Sequence, residues 1–566
     1  MPTVRGFQAA CLVLGLAVAV MSCSGPERHA SANGVRGGTL RVLTVEPEVT
    51  LDTAAFPLPA IARTYARTLY GYNLAGPSEQ VTVPVPDLAD GPPRLSADRR
   101  TYSFTLRPGV RYAPPVDREV TATDFITAIE RLYDAKSPSG GQFYADLIAG
   151  AKAFGAGKAK HISGLAAPGP HTLTISLDQP AEDFLSILTL PFFAPVPGEY
   201  AAHYQVGANY GLHVVGTGPY NLNAYDPGRL ILLDRNPNWD PATDPLRHAW
   251  VDRIRIELGV GIRSIQQAIE REEADLSLNS HVPQARIDEL RADPERSGRL
   301  SVNPTGGTLY LVLGTHHKDG AIADVRVRQA VNYAIDKVAY RDAIAGRSAA
   351  TGELASTILA PGSLGYRPYD LYPSPGGRGD PAKARALLAE AGYPHGLTLG
   401  FTTFSSGRLA AGRKPIEESL ARAGIRLKPT VYQPVEPYFT ALQDPAKRLE
   451  HQLAQGGWIS DYLGDNARQT IRPQYDSRLP PDSNFSEYDN PAVNRLIDRA
   501  LAEPDRARRA AQWAGIDQRI MRDAPVVPLV WEKASFQWAS RAHGWTYDPW
   551  TVGPDLTAVW LDPPSP

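Results

Sequence analysis

The chain has 566 residues, with 58 basic and 60 acidic side chains and a formal net charge of −2 at pH 7. This length favours two or three domains over a single core, and the balanced charge excludes an electrostatic attraction to nucleic acid or to an anionic membrane surface. Proline is abundant, with 51 residues, which predicts long, stiffened loops because apolar residues still recur along the whole chain.

The N-terminus has the pattern of a secretion signal. Arg5 supplies a positive charge, and the apolar stretch at 9–21 follows it. This stretch is too short to cross a bilayer as a helix, which takes about 20 residues. The segment Val20-Met21-Ser22-Cys23 resembles a bacterial lipobox, in which cleavage precedes a cysteine that becomes lipidated. We expect a signal peptide at 1–22 and a lipid on Cys23; the alternative is an ordinary signal peptide that happens to contain this cysteine.

The two cysteines of the chain are Cys11 and Cys23. Cys11 would leave with the signal peptide, so Cys23 would be the one thiol of the mature protein. The folded body would then have no internal disulfide, thiolate metal site or cysteine nucleophile, which suits an extracytoplasmic protein. The polar segment 23–36 contains glycine and proline and is expected to tether the anchor to the fold.

From residue 38 onward, strand patterns alternate with helical patterns, which predicts an α/β protein. Strands are expected at 38–44, 101–106, 171–177, 229–234 and 252–258. Apolar spacing also predicts helices; the first begins at a cap formed by Thr123 or Asp124, and the others lie at 262–273, 325–345, 381–391, 413–423, 491–502 and 506–522. Breaker residues at 303–307 and 523–525 are candidate boundaries, although most such clusters are plain loops.

Several segments, taken together and in order, resemble the family 5 extracellular solute-binding proteins, which serve ABC importers of oligopeptides, dipeptides, nickel and some sugars. The matching segments are 37–42, 103–112, 121–125, 216–220, 233–239, 325–337, 382–392 and 523–529. The resemblance therefore covers nearly all of the chain after the tether. One departure lies at 113–119, where the family usually has Asp-Gly, and it puts only this loop in doubt.

The resemblance implies a two-lobe periplasmic-binding-protein fold of the cluster C type, with an extra subdomain in the first lobe. Two crossovers would join the lobes, and a hinge motion would close the cleft between them on a ligand. The implied boundaries are 37–75, 206–303 and 527–566 for the first lobe, 76–205 for its subdomain and 304–526 for the second lobe.

In peptide-binding members of the family, a carboxylate in a Trp-x-x-Asp pattern holds the α-ammonium of the ligand. This chain has that pattern in Trp458-Ile459-Ser460-Asp461, followed by Tyr462, and the resemblance implies that Asp461, Trp458 and Tyr462 bind the ligand. An ammonium in a closed, water-poor cleft needs a charged partner, and Trp458 could wall the pocket or add a cation–π contact. The alternative is that both residues are purely structural, with Asp461 capping a turn and Trp458 belonging to the core.

Other cleft residues are implied less specifically. Glu46 and Ser405 lie in loops that line the cleft in the family, and main-chain hydrogen bonds could hold the rest of a peptide without regard to its side chains. Arg408, Arg413 or Arg468 could meet a ligand carboxylate, although each is more often a solvated surface arginine.

No sequence motif indicates catalysis, a metal or a cofactor, and adjacent His316 and His317 would point to opposite faces of a strand. We therefore expect a monomeric binding protein with no enzymatic activity, anchored outside the cytoplasm by the lipid on Cys23. Its partners would be a short peptide and membrane permeases, not nucleic acid. The alternatives are a sugar, a nickel complex or haem as the cargo, a receptor that presents ligand to a sensor, and, outside the class, a secreted hydrolase.

Overall fold

The structure, a computed structural model, describes residues 34–55, 57–75, 81–134, 139–278, 282–315, 320–345, 352–405, 407–433, 435–444, 447, 452–479, 483–549 and 552–563. The expected signal peptide, the lipidation site Cys23 and the pair His316 and His317 lie outside the described residues.

Strands occur along the whole described chain. In chain order they are β1 (Thr39–Leu43), β2 (Tyr70–Tyr72), β3 (Pro84–Pro86), β4 (Arg94–Leu95), β5 (Thr101–Thr105), β6 (Leu165–Gly169), β7 (Thr172–Ser176), β8 (Tyr220–Asp226), β9 (Leu230–Arg235), β10 (Arg253–Glu257), β11 (Leu276–Ser277), β12 (Leu300–Leu313), β13 (Gly352–Leu354), β14 (Leu397–Phe404), β15 (Ile425–Tyr432), β16 (Leu453–Trp458), β17 (Val526–Gln537), β18 (Ala542–His543), β19 (Tyr547–Asp548), β20 (Gly553–Pro554) and β21 (Trp560–Leu561).

Helices alternate with these strands. In chain order they are α1 (Pro59–Tyr65), α2 (Ala122–Arg131), α3 (Gln142–Ala145), α4 (Ala151–Gly155), α5 (Phe184–Ile187), α6 (Gly198–His203), α7 (Ala208–Gly211), α8 (Ile262–Glu270), α9 (Gln284–Ala292), α10 (Val325–Ala334), α11 (Lys337–Ala345), α12 (Pro381–Glu390), α13 (Arg413–Arg422), α14 (Val435–Gln443), α15 (Ala467–Tyr475), α16 (Pro491–Ala502) and α17 (Arg506–Asp523).

A five-stranded sheet in the order β11-β1-β10-β9-β8 forms the centre of what we call the first lobe. β1 runs parallel to β10 and β11, and β9 runs antiparallel to β10. Leu40 and Val42 alternate on one face of β1 and are fully buried, as a half-buried strand requires.

A four-stranded antiparallel sheet in the order β4-β5-β7-β6 forms the centre of what we call the subdomain. Tyr102 and Phe104 of β5 point into its core, where Phe125 and Ile129 of α2 join them. The helical spacing of these two α2 residues, four apart, places them on one face of the helix.

A six-stranded mixed sheet in the order β13-β17-β12-β16-β14-β15 forms the centre of what we call the second lobe. β12 runs antiparallel to both β16 and β17, whereas β14 runs parallel to β15 and β16. The first residues of β12 pair with the last residues of β17, from Leu300 opposite Gln537 to Asn303 opposite Ala534. The two long strands therefore leave this sheet side by side, toward the first lobe.

The predicted strands and most predicted helices are present within one to three residues of their expected ends. The single helix expected at 325–345 is wrong, because Ile335 has an extended ψ of 126° and ends α10. The Asp336 carboxylate then accepts a hydrogen bond from the backbone N–H of Ala339, which begins a second helix.

The predicted cap of α2 is also wrong. Thr121 is the N-cap, and the Asp124 carboxylate reaches back to its backbone N–H at 2.9 Å in a capping box. The breaker cluster at 303–307 forms neither a loop nor a strand end; it is an irregularity inside β12, where the register with β17 shifts between Pro304 and Thr308. The domain boundaries stay predictions.

Candidate ligand-binding site

Asp461 lies just beyond the carboxyl end of β16, in the loop that leads to α15. Two neutral side chains donate hydrogen bonds to its Oδ2 atom, the Tyr144 hydroxyl and Gln469 Nε2, the latter at 3.3 Å. Trp458 Nε1 in turn donates to Gln469 Oε1 at 3.1 Å. Because Tyr144 belongs to α3 of the subdomain, this cluster spans the junction between the subdomain and the second lobe.

Burial controls the electrostatics of the cluster. It raises the pKa of Asp461 above the ordinary value of 3.8, and the hydrogen bonds from Tyr144 and Gln469 oppose that rise by favouring the carboxylate. Burial, together with the negative charge of Asp461, holds the pKa of Tyr144 well above its usual 10.0. Tyr144 therefore keeps its proton and remains a donor. The arrangement suits a carboxylate that is prepared to pair with a cation.

Tyr462 points away from Asp461, into the core of the subdomain, where it is 1% exposed. Its hydroxyl donates to Asp183 Oδ2 at 2.5 Å, and its ring meets that of Tyr144 edge to face. Tyr462 thus makes a docking contact between the two parts of the protein, and its role in ligand binding stays a prediction.

The same loop touches the first lobe and the subdomain at two further points. The backbone N–H of Leu463 donates to the Tyr72 hydroxyl at 3.1 Å. Gly464 has a φ of +79°, and a Cβ at this position would lie 2.2 Å from the carbonyl oxygen of Thr82. Only glycine combines this backbone conformation with so close an approach. The loop is therefore shaped to fit this surface.

Glu46 and Ser405 each make a backbone hydrogen bond to a neighbouring segment. The carbonyl of Glu46, just past β1, accepts a hydrogen bond from Gly259, and the N–H of Ser405, at the end of β14, donates to the carbonyl of Tyr432. These contacts join each residue to a neighbouring loop or strand, and neither contact involves the Asp461 cluster. Their roles in binding stay predictions.

The three candidate arginines differ from one another. Arg468 is buried, with 8% of its side chain exposed, and is paired with Asp183, so it is not a solvated surface arginine. Arg413 is partly exposed and pairs with Glu417 one turn along α13. The side chain of Arg408 lies outside the described part of the structure.

Sequence reasoning missed Tyr144, Gln469 and Asp183. Tyr144 and Asp461 are 317 residues apart, and Asp183 and Arg468 are 285 residues apart, so no local spacing links them. Of these three residues, Gln469 could have been found from the sequence, because it lies in the first turn of the helix that comes next after the Trp-x-x-Asp pattern.

Among the described residues, no group of three or more His, Cys, Asp or Glu side chains is placed to hold a metal ion. Within those same residues, no helix has both the length and the apolar character needed to cross a bilayer.

Two lobes joined by paired strands, with a half-buried carboxylate where the second lobe meets the subdomain, are the arrangement of a solute-binding protein. The sequence matches the bacterial extracellular solute-binding proteins, family 5, over residues 83–471. The chain belongs to this family, which confirms the resemblance read from its segments, and its place is extracytoplasmic.

Known relatives agree with the assignment. The chain is 26% identical to a protein named probable di/tripeptide-binding protein 5 of Pseudomonas aeruginosa, over 80% of this chain and 83% of the relative. It is 25% identical to the glutathione-binding protein GsiB of Shigella flexneri, over 92% and 93% of the two chains. These relatives are solute-binding proteins.

The fold comparison gives the same result. The structure is similar to that of clavulanic acid biosynthesis oligopeptide binding protein 2, with a TM-score of 0.86, 30% identity and coverage of 93% and 96% of the two chains. It also has the fold of DppA from Helicobacter pylori, solved with the peptide STSA, with a TM-score of 0.71, 23% identity and coverage of 93% and 98%. The expected two-lobe periplasmic-binding-protein fold is confirmed.

Proposed function

We propose that this protein binds short peptides between its lobes and delivers them to the permease subunits of an ABC importer. The observation that carries the proposal is Asp461, a half-buried carboxylate held by two neutral donors where the second lobe meets the subdomain. The names of two relatives, one binding di- and tripeptides and one glutathione, support a ligand of peptide chemistry.

The proposed role of Asp461 is to pair with the α-ammonium of the peptide. Burial makes the ionised carboxylate costly, as its raised pKa indicates, and an ammonium would offset that cost. Trp458 fixes Gln469, and Gln469 fixes Asp461, so the carboxylate is oriented before the ligand arrives. A neutral sugar would bring no positive charge to Asp461, which argues against sugar as the cargo.

Ligand binding would favour the closed arrangement of the lobes, in which the loop after Asp461 contacts the subdomain. A ligand shifts this equilibrium only by the difference between its affinities for the closed and the open state. A peptide that contacts both Asp461 and the facing subdomain would have a higher affinity for the closed state than for the open state. The closed form would then be the one that docks on the permeases.

We also propose that a lipid on Cys23 anchors the protein to the cell membrane. The anchor would keep the protein close to the permeases and raise the effective concentration for encounter. One acyl chain holds a protein only weakly, but a bacterial lipoprotein carries at least two.

The first experiment is native mass spectrometry of the purified mature protein, followed by denaturing release of co-purified molecules. A mixture of short peptides that is absent from Asp461→Ala supports both the cargo and the role of Asp461. The control is Asp517→Asn, which removes a buried carboxylate of the second lobe outside the Asp461 cluster and should leave the peptides in place. Release of a single non-peptide species, or peptides retained in Asp461→Ala, would count against the proposal.

A further inference from the structure

A cavity of about 670 Å³ lies between the subdomain and the second lobe, beside the Asp461 cluster. We call it the Arg472 cavity; its lining includes Arg468, Arg472, Lys152, Asp146, Asp178 and Phe143. Its size falls within the range of about 300–1,000 Å³ that is typical of small-molecule sites. Phe143 is the neighbour of Tyr144 in α3, so the cavity adjoins the residue that contacts Asp461.

Helix α15 contributes side chains to both the Asp461 cluster and the Arg472 cavity. Gln469 faces Asp461, whereas Arg468 and Arg472, one helical turn apart, both line the cavity. Along the helix axis, Gln469 and Arg472 differ by about 4.5 Å, at 1.5 Å per residue. A ligand held by its ammonium at Asp461 would therefore carry its first one or two residues past the cavity.

Arg472 is the unusual group in the lining. Its side chain is 19% exposed, and its Nε atom is buried without a hydrogen-bond acceptor among the described residues. The nearest carboxylate oxygen, Asp476 Oδ2, lies 3.5 Å from that nitrogen, and both oxygens of Asp476 accept closer hydrogen bonds from Arg478. A guanidinium nitrogen this buried is costly to leave without a well-placed acceptor.

The surroundings of Arg472 also disfavour its charged form. Burial and the like charge of Arg468 lower the pKa of Arg472 from its ordinary value. Arg468 is itself neutralised by Asp183, and Lys152 lies exposed on the subdomain side of the cavity. Two carboxylates also line the cavity: Asp146, which accepts the Tyr133 hydroxyl at 2.7 Å, and the exposed Asp178.

We propose that the Arg472 cavity binds a carboxylate carried near the amino end of the ligand, with Arg472 as the hydrogen-bond donor. This inference rests on the proposed function, because it takes Asp461 as the ammonium site. The carboxylate has two possible sources, an acidic side chain in the first two residues or the C-terminus of a dipeptide. Arg472 would then discriminate between peptides whose α-ammonium groups bind Asp461 equally well.

The test is calorimetric titration of the purified protein with matched peptide pairs. Glu-Ala-Ala against Gln-Ala-Ala and Ala-Glu-Ala against Ala-Gln-Ala report on a side-chain carboxylate, and Ala-Ala against its C-terminal amide reports on the terminus. We expect the acid of at least one pair to bind about tenfold more tightly or better than its amide, the scale of a hydrogen bond to a charged group. That preference should fall to near unity in Arg472→Gln and partly return in Arg472→Lys.

The matched control is Arg519→Gln, which removes a half-exposed arginine that also pairs with a carboxylate one turn along its helix, at 3.7 Å. It should keep the wild-type preference. Equal affinities for the acid and amide forms of every pair, measured on the wild-type protein, overturn the inference and leave peptide binding intact. A preference for the acid form that persists in Arg472→Gln also overturns the inference. If no peptide with a free amine binds, the proposed function fails as well.

Discussion

Arg468 Nη1 of the second lobe lies 2.9 Å from Asp183 Oδ1 of the subdomain, and the side chains are 8% and 3% exposed. The other oxygen of Asp183 accepts the Tyr462 hydroxyl, so one carboxylate receives two donors from the loop and helix that follow Asp461. Desolvated charges of this kind are stabilising only while both partners are present. This pair therefore holds the candidate ligand site against the subdomain.

Asp183→Asn should weaken this docking. It leaves Arg468 buried without its charged partner, which costs about 3 kcal/mol or more in the docked state. The lobes should then separate in the absence of ligand, and small-angle X-ray scattering should detect a larger radius of gyration. Replacing both residues by leucine removes both charges and should cost much less. Equal expansion in the single and double variants would contradict the role of the ion pair.

Tyr144→Phe should change the pH dependence of peptide binding. The ionised form of Asp461 binds an ammonium, so affinity should fall as the pH drops through the raised pKa of Asp461. The Tyr144 hydrogen bond lowers that pKa, and its loss should move the midpoint of the decline to higher pH. Titrations between about pH 4 and pH 8 would measure the shift.

Tyr488→Phe is the matched control, because it removes a similar hydrogen bond, to Asp523, in a part of the second lobe outside the Asp461 cluster and the Arg472 cavity. Its pH profile should follow that of the wild-type protein. Identical profiles for all three proteins would mean that Tyr144 does not influence the carboxylate that binds the ligand.

Asp517 should make the second lobe more stable in mild acid. This buried residue of α17 accepts hydrogen bonds from the Tyr369 hydroxyl at 2.8 Å and from two backbone N–H groups, yet burial raises its pKa to about 6. Because the folded state binds this proton more tightly than the unfolded state, the contribution to the free energy of unfolding rises as the pH falls from above 6 toward 3.8. The full change is about 3 kcal/mol, from two pKa units at 1.36 kcal/mol each.

Asp517→Asn lacks this titration. Its free energy of unfolding, measured with denaturant between pH 4 and pH 7.5, should depend less on pH than that of the wild-type protein. The two curves should converge at low pH. Parallel curves would show that Asp517 titrates normally.

Cys23→Ser should release the protein from the membrane fraction of its native cells, because the proposed lipid would be lost. Peptide affinity of the released protein should be unchanged, since the substitution alters no residue that we propose binds the ligand. Fractionation followed by mass spectrometry of the N-terminus would measure both the location and the modification. Release of the unmodified wild-type protein into the medium would contradict the anchor.

The fold was largely predictable because its elements carry local periodicity. Alternation placed β5 and β10, and helical spacing placed α16 and α17 almost to the residue. The break between α10 and α11 was missed because Ile335 and Asp336 fit a helical pattern, and only the backbone geometry separates them.

The candidate site was predictable only in part. The Trp-x-x-Asp pattern pointed to Asp461, but its partner Tyr144 comes from a different part of the chain, and no spacing along the sequence encodes that contact. The same is true of Asp183, whose importance depends on where α15 packs. Long-range pairing of buried polar groups follows from the complete fold, and local patterns do not report it.

The most direct test of the central claim is the affinity of trialanine and of N-acetyl-trialanine for the wild-type protein and Asp461→Asn, measured by calorimetry. We predict that the wild-type protein binds the free amine about 100-fold more tightly or better than the acetylated peptide, and that Asp461→Asn loses this discrimination while Asp517→Asn keeps it. Acetylation without effect on wild-type binding, or discrimination retained in Asp461→Asn, would contradict the claim that Asp461 holds the ammonium of a peptide.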